Sequence, residues 1–316
     1  MRTANGARAR RISNASYAPI AIELGLARAH NVNATRHALK PELTHASRPL
    51  TFEVEALNEF GEALNTPIAG ENPLTLYLDK REILTLMTLG QAPEALAIGY
   101  LRNQRLVRSI DDIAAVQVDW ETDSVAITTR HGVTDLDKKM EKRTVTTGCG
   151  QGTVFGDLME EIDTIHLRQD VRLREDTLYA MLDAVRRRET VYKSAGAVHG
   201  CALATNGEGS SEVINFVEDV GRHNAVDAIA GQMWLDGVDG ADKIFYTTGR
   251  LTSEMVIKAA QMRIPFLVSR SGLTQMGYEV ASKVDMTMLG RAFNKRYLLF
   301  TGKHRFIKTS TTTALA

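Results

Sequence analysis

The stretch Ser211-Glu-Val-Ile-Asn-Phe-Val-Glu-Asp-Val-Gly-Arg-His-Asn-Ala-Val-Asp227 joins an apolar run to a polar cluster and then to a helical pattern. We expect a strand over 211–217 and a helix over 225–235, with Asn224 as its N-cap and Asp227 favouring the positive end of the helix dipole. The polar residues between strand and helix then lie at the carboxyl end of a strand, where open sheets bind ligands.

The sequence that follows repeats the strand-then-helix pattern. Strands are expected over 243–248, 264–269 and a last one over 285–290, with helices over 251–262 and 273–284. Repeated βαβ units predict an α/β fold that has a mostly parallel sheet with helices on both faces.

The N-terminal half has a different pattern, which predicts a smaller α+β domain. It alternates in strand fashion over 51–55, 71–79 and 81–87, is helical over 92–106, and alternates again over 113–120 and 124–129. We therefore divide the chain into a disordered N-terminal extension over 1–48, the small α+β domain over 49–147, and an α/β cofactor-binding domain over 148–316.

Charge and hydropathy exclude several classes of protein. Lys+Arg and Asp+Glu both number 38, and this balance argues against a nucleic-acid-binding protein, which needs a basic surface. No apolar run approaches the roughly 18 residues of a membrane span. Two cysteines in 316 residues do not make a disulfide framework. We expect no membrane association and a cytoplasmic location.

Three consecutive predicted strands end in similar residues: Thr247-Thr-Gly-Arg250, Ser269-Arg-Ser-Gly272 and Leu289-Gly-Arg291. Glycine lets the backbone approach a ligand, hydroxyls and helix N-termini donate to phosphate, and arginine binds anions in a bidentate manner. Asp219 and Arg222 extend this set, and together they favour an anionic, nucleotide-like ligand. Ordinary loop residues with solvated arginines, and an Asp–Arg pair that closes a turn, stay open as alternatives.

The two cysteines have different surroundings. Cys149 lies in Gly148-Cys-Gly-Gln-Gly152, a flexible loop that presents a thiol, and Lys142 and Arg143 nearby favour the reactive thiolate. Cys201 lies in the apolar run Cys-Ala-Leu-Ala and is predicted to be a core residue. His199 and Cys201 are too few ligands for zinc, so no metal site is expected.

Four segments together resemble the formate dehydrogenase accessory sulfurtransferase family (FdhD): Thr147–Gly150, Gly196–His199, Glu218–Asp227 and Thr248–Ala259. The resemblance implies a cytidine-deaminase-like core without the zinc chemistry. It also implies that Cys149 is the catalytic, persulfide-carrying residue and that Met288–Phe293 is a cofactor-binding stretch. With the strand ends, the candidate cofactor contacts are His199, Asp219, Arg222, His223, Gly249, Arg250, Ser269, Arg270, Met288, Leu289, Gly290, Arg291, Ala292 and Phe293.

The function implied by the resemblance is that of a sulfurtransferase. Such a protein takes persulfide sulfur from a cysteine desulfurase and passes it to the molybdenum bis(molybdopterin guanine dinucleotide) cofactor, which it binds as a substrate. The cofactor serves the formate dehydrogenase catalytic subunit, and we expect the carrier to be a homodimer.

Two positions depart from the family pattern. Gly152 stands where most members have a second loop cysteine, and Gly290-Arg291 stands where they have Gly-Phe. The missing cysteine keeps open a second reading, a cofactor-binding chaperone without sulfur transfer. A weaker third reading is a deaminase-like hydrolase.

Overall fold

A computed structural model describes residues 40–134, 136, 144–145, 152–153, 162–188 and 190–309. Cys149 and most of the charged segment 135–143 lie outside these residues. In the part of the chain that is described, no helix has both the length and the apolar character needed to cross a membrane.

A five-stranded N-terminal sheet has the order β1-β6-β7-β4-β5. Its strands are β1 Glu42–Leu43, β4 Asn72–Leu78, β5 Arg81–Thr88, β6 Ile113–Asp119 and β7 Ser124–Thr129. Alternate residues of β4 are buried, as the sequence pattern predicts for a sheet with one face on a core. β4 pairs antiparallel with β5, and Asp79 and Lys80 between them both have positive φ, the conformation of a type I′ turn.

Ordered structure begins earlier than the sequence indicates. The strand β1 lies within the segment 1–48 and pairs in parallel with β6, with Glu42 opposite Ala115. Farther along, the Ala46 N–H donates to Glu94 Oε1 at 2.7 Å, and the Arg48 guanidinium lies 4.7 Å from the centre of the Trp120 ring. These contacts are all to distant parts of the chain, so local periodicity gives no sign of them.

Two helices cross at glycines in the middle of the molecule. They are α1 Pro93–Asn103 and α4 Arg222–Asp236, and both are buried along almost their whole length. A Cβ atom placed on Gly99 would lie 1.7 Å from the Asp227 carbonyl oxygen, and one on Gly231 would lie 1.9 Å from the Ala95 carbonyl oxygen. Backbone therefore packs directly against backbone here. Only glycine allows this contact, because any larger side chain would overlap the facing helix.

The helix α4 begins at Arg222, two residues before the predicted N-cap. Gly221 is its N-cap, whereas Asn224 is inside the first turn. The Asn224 amide donates to Asp219 Oδ1 at 2.8 Å and to the Met87 carbonyl at 2.7 Å. Asn224 is thus used in tertiary contacts, and the prediction that it caps the helix was wrong.

The C-terminal sheet has six strands in the order β12-β11-β13-β14-β15-β16. They are β11 His199–Ala204, β12 Val213–Asp219, β13 Ile244–Thr247, β14 Phe266–Ser269, β15 Thr287–Phe293 and β16 Arg296–Thr301. The α/β class is confirmed, but the sheet is mixed: β13, β14 and β15 are parallel, and the three outer pairings are antiparallel. The connections β11–β12 and β15–β16 are too short for a crossover, which imposes antiparallel pairing.

Helices cover both faces of this sheet, as predicted. They are α2 Glu175–Arg187, α3 Val191–Ser194, α5 Ser253–Gln261 and α6 Gln275–Lys283, besides α4. Cys201 and Leu203 of β11 share one hydrophobic cluster with α4, α5, α1 and the N-terminal sheet, whereas Ala202 and Ala204 join a second cluster with α2. One continuous core therefore connects the two sheets.

Three two-stranded sheets lie outside these layers. Their strands are β2 Thr51–Leu57 with β3 Ala63–Ala69, β8 Thr144–Val145 with β9 Gly152–Thr153, and β10 Leu173–Arg174 with β17 Phe306–Ile307. The strands β16 and β17 follow β15, so the strand predicted over 285–290 is not the last one.

Candidate functional site

One end of the C-terminal sheet gathers most of the predicted site residues. The registers place His199 opposite Asp219, Cys201 opposite Thr247, and Thr247 beside Ser269. Because β11 runs antiparallel to β13, its first residue lies at the same edge as the last residues of β13 and β14. The loops that carry Gly249, Arg250, Arg270 and Gly290 leave the sheet at this edge.

Asp219 is a buried anchor. Its Oδ2 accepts hydrogen bonds from Thr88 Oγ1 at 2.5 Å and from the Leu89 N–H at 3.1 Å, and its Oδ1 accepts from the Gly221 N–H and from Asn224. Burial raises the pKa of this carboxyl, and these hydrogen bonds oppose the rise. Its two oxygens thus hold the N-terminal sheet and the start of α4 together at the base of the site.

His223 belongs to a buried charged cluster on the core side of the sheet. Its Nε2 lies 3.2 Å from Glu254 Oε2, and Lys258 Nζ lies 3.6 Å from the other oxygen of Glu254 and 2.9 Å from Asp227 Oδ2. Asn103 donates to the remaining Asp227 oxygen at 2.6 Å. Burial lowers the pKa of His223 to about 3, with Lys258 the next cause, so the ring is neutral.

A cationic corner is formed by His199, Arg222 and Arg250. Burial lowers the pKa of His199, and the charges of Arg222 and Arg250 lower it further. The stem of Arg222 packs on Gly249, where a Cβ atom would lie 2.9 Å from Arg222 Cδ. Glycine at this position therefore allows Arg222 to lie against the end of β13. Two guanidinium groups and a neutral imidazole make a corner that favours anions.

An aromatic cavity of about 160 Å³ lies beside this corner, on the α2 face of the sheet. Thr248 lines it and also lies 3.4 Å from His199 Nδ1, which connects cavity and corner. The Arg270 guanidinium lies 4.8 Å from the centre of the Phe293 ring and 5.9 Å from that of Tyr192. Such contacts hold a cation over aromatic faces and leave its edge to bind an anion.

Sequence reasoning missed several residues of this cavity. They are Arg188, Tyr192, Phe216 and Tyr246. Arg188 lies 5.5 Å from the centre of the Phe216 ring, and burial raises the pKa of Tyr246 to about 12. Phe216 lies in a strand with the sequence pattern of an ordinary core strand, so the sequence does not single it out. The hint that the sequence offers is Tyr192, an aromatic residue close to Arg188 and Lys193, and the structure shows that its side chain is exposed.

The stretch 288–293 is divided between core and surface. Its members Met288, Leu289, Gly290 and Ala292 are buried, whereas Arg291 and Phe293 are exposed. Register is lost between Gly290 and Phe293, and Arg291 has positive φ. A bulge re-aims side chains. Arg291 consequently lines a different groove, with Lys295 and Arg296, so the three predicted arginines do not converge on one cavity.

Ser269 and Gly249, which were also predicted to contact the cofactor, are used to hold the ends of two strands together. Ser269 is fully buried, and its Oγ donates to the Gly249 carbonyl at 2.6 Å and accepts from the Ser271 N–H at 2.9 Å. These bonds tie the ends of β13 and β14 together. Ser269 and Gly249 therefore shape the loops that carry Arg250 and Arg270.

Cys201 is a core residue, as predicted. It has no exposed surface, its Sγ lies 3.3 Å from Thr247 Oγ1, and burial raises its pKa to about 12. A thiol in these surroundings is unreactive. Among the described residues, no three His, Cys, Asp or Glu side chains come together as a metal site.

The chain is similar in sequence to known proteins over most of its length. The protein named sulfur carrier protein FdhD of Listeria monocytogenes is 26% identical over 246 residues, which cover 77% of this chain and 93% of that protein. The protein of the same name from Wolinella succinogenes is 28% identical over 238 residues, or 74% of this chain and 80% of that protein.

A solved structure has the same fold. It is the crystal structure of a formate dehydrogenase accessory protein from Desulfotalea psychrophila, which is 25% identical, superposes with a TM-score of 0.67, and matches 82% of this chain and all of the other. The profile of the FdhD/NarQ family matches residues 69–307, which contain the site and every strand of the two large sheets except β1. The chain therefore belongs to the FdhD/NarQ family.

Proposed function

We propose that this protein is a sulfur carrier that passes persulfide sulfur from a cysteine desulfurase to the molybdenum bis(molybdopterin guanine dinucleotide) cofactor of a formate dehydrogenase. The observation that carries the proposal is the aromatic cavity beside the cationic corner, in a chain of this family. A guanine nucleotide offers a flat ring for stacking and phosphates for the arginines.

The sulfur chemistry is assigned to Cys149. Its thiolate attacks the outer sulfur of a persulfide on the desulfurase, so that one S–S bond forms on Cys149 as the other breaks and the desulfurase cysteine leaves as a thiolate. Release of that sulfur as sulfide requires two electrons. Gly152 supplies no second thiol, so in this proposal an external thiol is the reductant. Its thiolate attacks the inner sulfur of the Cys149 persulfide, the outer sulfur leaves as sulfide, and a second external thiol reduces the mixed disulfide left on Cys149. Cys201 is buried and does not take part.

The cofactor is bound as a substrate. In this proposal a base stacks in the aromatic cavity against Tyr192 and Phe293, and phosphates meet Arg270 and the corner residues Arg222 and Arg250. His199 is neutral and adds a hydrogen-bonding ring without a competing charge. The protein acts as a homodimer in the cytoplasm and delivers the cofactor to the formate dehydrogenase catalytic subunit.

A second candidate, a cofactor chaperone without sulfur transfer, is favoured by the single cysteine of the Gly148–Gly152 loop. Incubation with a cysteine desulfurase and cysteine, followed by alkylation and mass spectrometry, separates the two. The sulfur carrier should gain one sulfur atom on Cys149, and the Cys149→Ala variant should gain none. Nucleotide binding without any persulfide on Cys149 would establish the chaperone instead.

A further inference from the structure

Arg270 is the arginine at the mouth of the aromatic cavity. Its side chain is exposed and lines the cavity, and its backbone N–H donates to the Thr247 carbonyl at 3.0 Å. The preceding Ser269 is fully buried and bonded to the Gly249 carbonyl. The main chain at Arg270 is therefore fixed to the end of β13, and a rearrangement at this position is a change in the direction of its side chain.

Two aromatic rings hold the guanidinium group of Arg270. It lies 4.8 Å from the centre of the Phe293 ring and 5.9 Å from that of the Tyr192 ring. Within the residues that the structure describes, it has no carboxylate partner and donates no hydrogen bond. Contacts between a cation and a ring are weak where both are exposed. The guanidinium is therefore held loosely, and its donors remain available to an anion.

The same two rings supply the stacking surface in the proposed function. Tyr192 and Phe293 are 51% and 47% exposed, and they line the cavity together with Tyr246. Burial raises the pKa of Tyr246 to about 12 and the charge of Arg270 opposes that rise, so the guanidinium is also close to the inner wall of the cavity. A base that enters the cavity and the guanidinium therefore compete for the same aromatic surface.

A phosphate group is a better partner for Arg270 than the rings are. The hydrogen bond from Ser269 to the Gly249 carbonyl places the main chain of Arg270 beside the loop that carries Arg250, a member of the cationic corner. A planar guanidinium donates two charge-assisted hydrogen bonds to phosphate oxygens, and these are stronger than contacts with an aromatic face. Phosphates bound at the corner would therefore attract the Arg270 side chain away from the rings.

We propose that Arg270 makes entry of the base conditional on phosphate. Stacked on Tyr192 and Phe293, the guanidinium covers the aromatic surface, and phosphate at the cationic corner draws it off the rings and so opens that surface to the base. A nucleoside must displace the guanidinium without offering it a new partner, so the site selects a nucleotide over the nucleoside with the same ring. This inference rests on the nucleotide site of the proposed function and adds the origin of its selectivity.

A simple phosphate contact and this conditional role predict different results for Arg270→Ala. If Arg270 only binds phosphate, its removal weakens GDP binding and leaves guanosine binding unchanged. If Arg270 also covers the rings, its removal weakens GDP binding and strengthens guanosine binding, because the nucleoside then meets an uncovered aromatic surface. The two ligands share their base and ribose, so opposite signs of the two effects are specific to the conditional role.

NMR titration with GDP and with guanosine tests the proposal, since it measures weak as well as tight binding. Compared with wild type, Arg270→Ala should bind GDP roughly tenfold or more weakly and guanosine roughly threefold or more tightly. Arg263→Ala is the matched control. Arg263 precedes β14 at the opposite edge of the sheet, is exposed, and lies 3.6 Å from Asp239, so its removal changes net charge equally and should leave both affinities unaltered.

Pyrophosphate provides a second measurement that needs only wild-type protein. Saturating pyrophosphate should raise the affinity for guanosine roughly threefold or more, because it draws Arg270 off the rings. By linkage, guanosine should raise the affinity for pyrophosphate by the same factor. In the Arg270→Ala variant this coupling should vanish, since the aromatic surface there is uncovered whether or not pyrophosphate is bound.

Three results would overturn the conditional role while leaving the nucleotide site in place. They are guanosine binding to Arg270→Ala that is no tighter than to wild type, an equal gain of guanosine affinity in Arg263→Ala, and wild-type guanosine affinity that does not respond to pyrophosphate. No GDP binding to folded wild type would remove the nucleotide site and this inference with it. Sulfur transfer is judged separately, by the persulfide on Cys149.

Discussion

The ammonium group of Lys258 lies 2.9 Å from the carboxylate of Asp227, and neither side chain has any exposed surface. Burial raises the pKa of Asp227, and Lys258 opposes that rise. Loss of either charge would therefore leave the other buried without its partner.

Lys258→Met should destabilise the protein by about 3–5 kcal/mol, because it leaves Asp227 and Glu254 buried without their cation. Urea unfolding measures the loss. The matched control is Lys283→Met, which removes an exposed partner of Asp163 and should cost less than about 1 kcal/mol. Equal losses from the two substitutions would contradict a structural role for the buried pair.

Gly231→Ala should destabilise the fold by about 3 kcal/mol or more, because the new methyl group overlaps the Ala95 carbonyl and forces α1 away from α4. Gly272→Ala is the control, since a Cβ atom there meets nothing within 4 Å and its effect should stay within about 0.5 kcal/mol. Thermal or urea unfolding distinguishes them, and a silent Gly231→Ala would show that the helices do not touch at this point.

His223 should make the protein less stable as the pH falls. Its folded pKa is lowered from 6.5 to about 3, so between these values the unfolded chain binds a proton that the folded chain does not. Stability is therefore complete above pH 6.5 and declines toward pH 3, by about 1.4 kcal/mol per pH unit once the unfolded His is protonated.

The His223→Gln variant should lack this contribution. Urea unfolding at pH 7.5 and 5.5 should give a difference that is smaller in the variant than in wild type by about 1.4 kcal/mol. His131, an exposed histidine, provides the control, because His131→Gln should keep the wild-type slope. A His223→Gln protein with an unchanged slope would mean that the folded protein protonates His223 normally.

Arg270→Ala should weaken GDP binding by roughly 1.5–3 kcal/mol, the value of a charge-assisted hydrogen bond. Arg291→Ala should have a smaller effect, since Arg291 lines the separate groove with Lys295 and Arg296 and not the aromatic cavity. Calorimetry on both variants compares the two positions. The reverse order of effects would move the nucleotide from the cavity to the groove, and no binding to folded wild type would remove the nucleotide site.

Iodoacetamide at pH 8 should label Cys149 and spare Cys201 in the native protein. Cys201 is buried with a pKa of about 12, so its thiolate is scarce and inaccessible. In urea both cysteines should react, and this control shows that a label on Cys201 can be detected by mass spectrometry. Rapid native labelling of Cys201, or a Cys149–Cys201 disulfide, would contradict its place in the core.

The strand-and-helix order of the C-terminal half was predictable because each element is a local pattern bounded by glycine or polar residues. The edge where Asp219 and the loops after Thr247 and Ser269 meet followed from that order, since parallel strands end together. His199 reaches the same edge at the start of β11, an antiparallel strand that the sequence analysis did not predict. The core position of Cys201 followed from its apolar neighbours. Each of these conclusions can be drawn from local sequence patterns.

Other features depend on contacts that a sequence does not display. The loss of register after Gly290 turns Arg291 away from Arg270, because one extra residue reverses the face of every side chain beyond it. Both hydrogen bonds to Asp219 Oδ2 come from Thr88 and Leu89, about 130 residues earlier. Nothing near Asp219 in sequence distinguishes such an anchor from a ligand.

The crossing of Gly99 with Asp227 and Gly231 also constrains biosynthesis. The helix α1 emerges from the ribosome long before α4, and at roughly 5–20 residues per second the delay is on the order of 10 s. Throughout that time the apolar surface of α1 that α4 later covers is open to water and to other chains. We therefore expect the nascent chain to depend on protection of this surface until its second half has been translated, and a fragment that stops at residue 134 should aggregate.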